Sequence, residues 1–181
     1  LDRLSNQFPE TDIHWRSFEL RPRGAPPLPP EYRARIEAAR PQLYRTAREQ
    51  YGLELDVGPF GIDSRPALVG AKYAEAQGRG AAYHRAVFQA YWQQAQDISD
   101  LDLLAGLAEQ VGLDRAGFLA ALDNPAYAAA VDDDIAQAQA YGLNGVPATV
   151  FADRYLVSGA QPYAYLEQAL RQVLAEAGAE E

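Results

Sequence analysis

Apolar residues stand at Leu1, Leu4 and Phe8, a three-and-four spacing that lines one side of a helix, and Pro9 ends the pattern. The pattern opens partway through a turn, so the start of this helix is expected ahead of Leu1. Residues 12–20, with Ile13, Trp15 and Phe18, read as a strand. Residues 21–30 hold five prolines and one glycine and read as an extended linker.

From residue 31 to 142 helix signals follow one another. Residues 31–50 have helical character, with a break or kink expected at Pro41 and a cap at Gly52. Ser64 is placed to cap a helix running to Gln77, with Pro66 in its first turn. Gly78 and Gly80 separate it from a helix at 81–96. Ser99 with Asp102 resembles a capping box for 100–110, closed by Gly112. Asp114 starts a short helix, and Asn124-Pro125 starts one that Gly142 ends.

The period then changes. Residues 146–151 and 155–158 read as two strands around a turn at 152–154, an antiparallel hairpin. Pro162 opens a last helix with one apolar face, Leu166, Leu170, Val173 and Leu174. No fixed-period repeat occurs. The order is partial helix, strand, helical stretch, strand, strand, helix. Strands at both ends of a helical stretch predict an α/β fold with a helical insertion: residues 1–25 and 143–181 as the α/β core, and 26–142 as an inserted all-helical subdomain.

Composition narrows the function classes. Apolar residues make up 48% of the 181, enough for a core. The net charge is −9, with no Lys/Arg-dense run, which speaks against a nucleic-acid partner. No apolar stretch approaches the ~20 residues of a membrane span. There is no cysteine, so disulfide, thiolate and cysteine–metal chemistry lie outside these residues. The two histidines, His14 and His84, are too few for a histidine-built zinc site, and no metal ligand set is expected. The chain has no methionine and begins with leucine, which again points to sequence ahead of Leu1.

The stretch from Gly142 to Phe151, Gly-Leu-Asn-Gly-Val-Pro-Ala-Thr-Val-Phe, resembles the cis-proline segment of thioredoxin-superfamily proteins. Its continuation from Asp153 through Ser158-Gly159-Ala160-Gln161-Pro162 resembles the FrnE-like branch of the DsbA family. So do Trp15-Arg16-Ser17-Phe18-Glu19-Leu20-Arg21-Pro22 and the segment from Tyr83-His84 through Phe88 and Tyr91 to Asp97-Ile98-Ser99. The resemblance covers nearly the whole chain and implies a thioredoxin-like fold of the DsbA type. It implies thiol–disulfide oxidoreductase activity toward protein or peptide thiols and disulfides, without a cofactor, in the cytoplasm. Family members carry a Cys-x-x-Cys at the start of the first helix, where the helix N-terminus stabilises the attacking thiolate. Both that dithiol and an apolar first strand are therefore expected before Leu1. Without that strand, residues 12–20 and 146–151 would each present unpaired backbone groups at ~1–3 kcal/mol apiece when buried.

Two other classes fit the same frame. One is a glutathione-dependent isomerase or transferase, related to 2-hydroxychromene-2-carboxylate isomerase and the kappa-class glutathione transferases, in which glutathione is the cofactor. The other is a non-catalytic thioredoxin-like binding module.

By resemblance Pro147 is a cis-proline facing the dithiol, and the Val146 backbone pairs with an extended substrate peptide. Phe18 and Glu19, at the end of the expected strand, and His84, at a pocket edge, are further substrate-binding candidates. Against these stand plainer roles: Pro147 as a strand start, His84 as a packed or surface residue. His14 is expected on the exposed strand face, opposite Trp15. Asp132-Asp133-Asp134 fall ~100° apart around a helix, cannot converge on one cation, and read as a solvated face. Tyr83, Phe88, Tyr91 and Trp92 are expected mostly in the core.

Overall fold

A computed structural model describes residues 1–22 and 24–178. Among them the chain forms α1 (Asp2–Gln7), α2 (Pro30–Tyr51), α3 (Arg65–Ala76), α4 (Gly80–Gln93), α5 (Leu101–Gln110), α6 (Arg115–Leu122), α7 (Pro125–Ala140), β1 (Ala148–Phe151), β2 (Tyr155–Ser158) and α8 (Tyr163–Ala177). None of these helices is long and apolar enough to cross a membrane. Two compact units divide the chain, Leu1–Leu20 with Asp134–Glu181, and Arg21–Asp133. The second division falls inside α7, and Asp134, on the side of the terminal segments, accepts the Ser17 N–H.

The helical unit is built on α3, α4, α5 and α6, which pack against one another. Tyr83, Leu104 and Phe118 are fully buried at its centre. Phe118 meets Tyr83 at 5.5 Å between ring centroids and the edge of Tyr73 at 6.1 Å. Gly70 makes this approach possible: a Cβ there would stand 2.6 Å from Phe118 Cζ and 2.7 Å from Tyr83 Oη.

Side-chain caps start α5, α6 and α7. Asp114 accepts the Gly117 N–H at 2.6 Å, and Asn124 Oδ1 accepts that of Ala126 at 2.9 Å. Three expected details differ. The cap of α5 is Asp100, which takes the N–H groups of Asp102 and Leu103, while Ser99 bonds instead to Asp97. Ser64 makes no side-chain cap, and the carboxylate of Asp63 accepts the Arg65 N–H at 3.0 Å. Pro41 does not break α2, which runs through it as one helix. Only Ala47 of α2 is buried, so water can satisfy the carbonyl that proline leaves unpaired.

In the terminal unit β1 and β2 pair antiparallel, with Ala148 opposite Ser158 and Phe151 opposite Tyr155. Phe151 and Val157 turn inward onto Leu4, Phe8 and Leu170. The apolar face expected for α8, Leu166, Leu170, Val173 and Leu174, lies in this core. The Arg3 guanidinium sits 3.8 Å from the Tyr163 ring centre, that of Arg171 4.8 Å from Phe8, and Gln7 bonds Glu167 at 2.8 Å. These contacts fasten α1 to α8.

Residues 12–20 do not form the expected strand. Strand propensity records fit to a pleated, half-buried surface, and a strand needs a ladder partner. Among the described residues β1 pairs only with β2, and none pairs with 12–20. Phe18 and Glu19 are therefore half-buried residues of an irregular segment rather than strand-end residues.

Candidate functional site

The loop after α7 begins with a reversal. Gly142 takes φ 70°, a left-handed conformation that favours glycine, and Leu143 donates back to the Ala138 carbonyl at 2.9 Å. The chain then runs through Asn144 and Gly145 into Val146 and Pro147, joined by a cis peptide bond, and enters β1. The glycine after β2 closes on it: Gly159, at φ 78°, donates its N–H to the Pro147 carbonyl at 2.8 Å. Gln161 braces the same turn through the Ser158 carbonyl at 2.9 Å. Together residues 142–147 and Ser158 with Gly159 line an open depression of about 220 Å³.

The chemistry of this depression is that of backbone. Asn144 and Ser158 are the polar side chains in its lining, and neither forms part of an acid–base pair or an activated nucleophile there. Val146 is 50% exposed, Pro147 is exposed, and no described hydrogen bond uses the Val146 N–H or C=O. Val146 lies in the bend that precedes β1, two residues ahead of Ala148, the first residue of the strand.

Two polar contacts support the loop. Asp134 on α7, with its side chain 3% exposed, accepts the Ser17 N–H at 2.7 Å and pairs with Arg16 at 3.2 Å. Tyr141 donates its hydroxyl to Asp153 of the hairpin turn at 2.9 Å, and this bond raises the phenol above its ordinary value. The expected solvated face thus holds only in part: Asp133 is exposed and Asp132 pairs with Arg65 at 2.6 Å, but Asp134 is buried.

Of the remaining candidates, Phe18, Glu19 and His14 belong to the same unit as the loop, and His84 belongs to the helical unit. His84 is half-buried on α4 and stacks on Phe88 with centroids 4.3 Å apart. Burial, then the Arg85 charge, holds its imidazole below the ordinary value. Tyr83 is core, and burial raises its phenol, whereas Phe88 and Trp92 are 51% and 37% exposed rather than core. His14 and Trp15 are both exposed. In the sequence Asp134 reads as part of a solvated face, and Ser158 and Gly159 belong to the family-like run after β2, with no site role assigned to any of the three. The run Ser158-Gly159-Ala160-Gln161-Pro162 after a strand was the signal available for the last two. Among the described residues no three metal-capable side chains gather.

A hairpin and terminal helices in one unit, with an all-helical unit inserted between its parts and a Gly-Val-Pro entry to β1, define the thioredoxin-like class with a helical insertion. The family model described as "DSBA-like thioredoxin domain" matches residues 1–171, and the chain belongs to that family. The chain is 34% identical over 125 residues to the uncharacterized protein YwbO of Bacillus subtilis (strain 168), a match covering 65% of this chain and 60% of YwbO. It thus spans less than two thirds of that relative. The probable DsbA oxidoreductase SCO1869 of Streptomyces coelicolor superposes with TM-score 0.77 at 30% identity, over 89% of this chain and 74% of that one. A 2-hydroxychromene-2-carboxylate isomerase superposes with TM-score 0.80 over 99% and 89% of the two chains, at 23% identity, a likeness of fold.

Proposed function

We propose that these residues form the substrate-presenting part of a DsbA-type thiol–disulfide oxidoreductase acting on protein or peptide disulfides. The observation that carries this reading is exposed Val146 in the lining of the depression, in a chain of the DsbA-like family. The likeness to the Streptomyces coelicolor oxidoreductase supports it. A substrate segment would pair with Val146 in extended form, its disulfide held over the Gly142 and Gly159 loops. A thiolate then attacks one substrate sulfur, forming a mixed disulfide and releasing the other sulfur as thiolate. A second thiol resolves the mixed disulfide, so two electrons pass to the substrate and the dithiol is oxidised. The 181 residues contain no cysteine, so the reading requires that dithiol to come from outside them.

The test is a thiol count and an insulin-reduction assay on the native gene product. Two reactive thiols and turnover are expected, and Val146→Glu, which sets a longer, charged side chain beside the docked segment, should lower kcat/KM by about tenfold, with the melting curve unchanged. A gene product without thiols, or full turnover by the Val146→Glu variant, overturns the reading. Glutathione-dependent isomerisation without disulfide turnover would favour the isomerase class instead.

A further inference from the structure

The segment leading into α2 reads Ala25-Pro26-Pro27-Leu28-Pro29-Pro30. Its conformation is set from both ends. Ala25 donates to the Pro22 carbonyl at 3.0 Å with Gly24 at φ 85°, and the Arg21 guanidinium donates to the Pro26 carbonyl. Downstream, the Pro29 carbonyl accepts the N–H groups of Tyr32 and Arg33 at 3.0 and 3.1 Å, which starts α2. Pro29 itself lies at φ −54°, ψ 139°, close to polyproline II. Among the described residues no hydrogen bond engages the Pro27 or Leu28 carbonyl, as in that solvated helix.

Polyproline II repeats every three residues, so Pro26 and Pro29 share one row, with Pro27 and Leu28 in the other two, while Pro30 is the first residue of α2. All four prolines are exposed, while Leu28 is half-buried. The segment therefore turns its proline rows to solvent in a conformation that costs little further ordering on binding. Arg21 stands before it, and Glu31, Arg33 and Arg35 follow it, with Arg33 paired to Glu37 at 3.3 Å, so cations outnumber the adjacent carboxylate in a chain whose net charge is −9.

We infer that residues 25–30 are a docking segment for a partner domain with an aromatic-lined groove and an acidic rim. Such grooves take P-x-x-P ligands by stacking aromatic rings on successive prolines, and the rim charge selects the basic end. Neither contact involves the Val146 loop, so this interaction stands apart from the proposed reaction.

The probe is an isolated, nitrogen-15-labelled SH3 domain of the kind that takes P-x-x-P ligands with a basic end, titrated with the full protein. Resonances of its aromatic groove should shift, and Pro26→Ala/Pro29→Ala should weaken binding by about tenfold, ~1.4 kcal/mol, with the melting curve unchanged. Should the double variant lose its fold, Pro26→Ala alone, which lies ahead of α2, carries the same comparison. An absence of shifts with the wild-type protein, or equal binding by the folded variant, overturns the inference and leaves the segment a linker.

Discussion

The Asp134 carboxylate accepts the Ser17 backbone N–H at 2.7 Å, across 117 positions of sequence. It anchors the irregular segment 12–20 to α7, the helix that delivers the Gly142 loop.

Removing that acceptor leaves a buried N–H unpaired. Asp134→Ala should lower unfolding stability by about 1–3 kcal/mol. The Arg16 side chain is 58% exposed, so Arg16→Ala should cost no more than about 1 kcal/mol. Urea unfolding of both variants checks the order, and an Arg16→Ala loss equal to that of Asp134→Ala would contradict it.

Two helical glycines should respond in opposite directions. At Gly70 a methyl would strike Phe118 and Tyr83, so Gly70→Ala should destabilise by about 1–3 kcal/mol despite its helix preference. At Gly106, within α5, an added Cβ meets nothing within 4 Å, and Gly106→Ala should stabilise by about 0.5–1 kcal/mol. Paired denaturation curves would expose an error if both variants moved the same way.

The hairpin turn places two side-chain-bearing residues in the left-handed region, Ala152 at φ 49° and Asp153 at φ 54°. Arg154 closes it by donating to the Phe151 carbonyl at 3.0 Å. Asparagine tolerates this conformation better than alanine does. Ala152→Asn should therefore raise stability by about 0.5–1 kcal/mol, read as a higher melting temperature. A lower one would refute the turn geometry.

His84 links stability to pH. Burial first, and Arg85 second, lowers its folded pKa below the ordinary 6.5. On acidification the unfolded chain takes up the proton before the folded one does. This contribution to stability is thus fully present above pH 6.5 and is lost as pH falls from there through the folded value. His84→Gln should flatten the pH dependence of the urea midpoint between about pH 7 and 5. An unchanged slope would show that His84 does not carry it.

Several features were determined by short stretches of sequence alone. Asp114 and Asn124 cap the helices they precede, Gly52, Gly112 and Gly142 turn left-handed after helices, and the spacing of Leu166, Leu170, Val173 and Leu174 sets the buried face of α8. Each rests on hydrogen bonds or a periodicity contained within a few consecutive residues. The Gly-Val-Pro loop was legible for the same reason, as a local run of unusual residues. The tertiary structure decided the rest. A strand at 12–20 depends on a ladder partner remote in sequence, and among the described residues none is present. Asp134 shares the inward face of α7 with Val131 and Ala138, while Asp133 does not, but only the tertiary structure supplies the Ser17 N–H that the buried carboxylate accepts. Ser158 and Gly159 reach the Pro147 loop because the register of β1 and β2 sets Ala148 against Ser158, which brings together residues that the chain holds a hairpin apart.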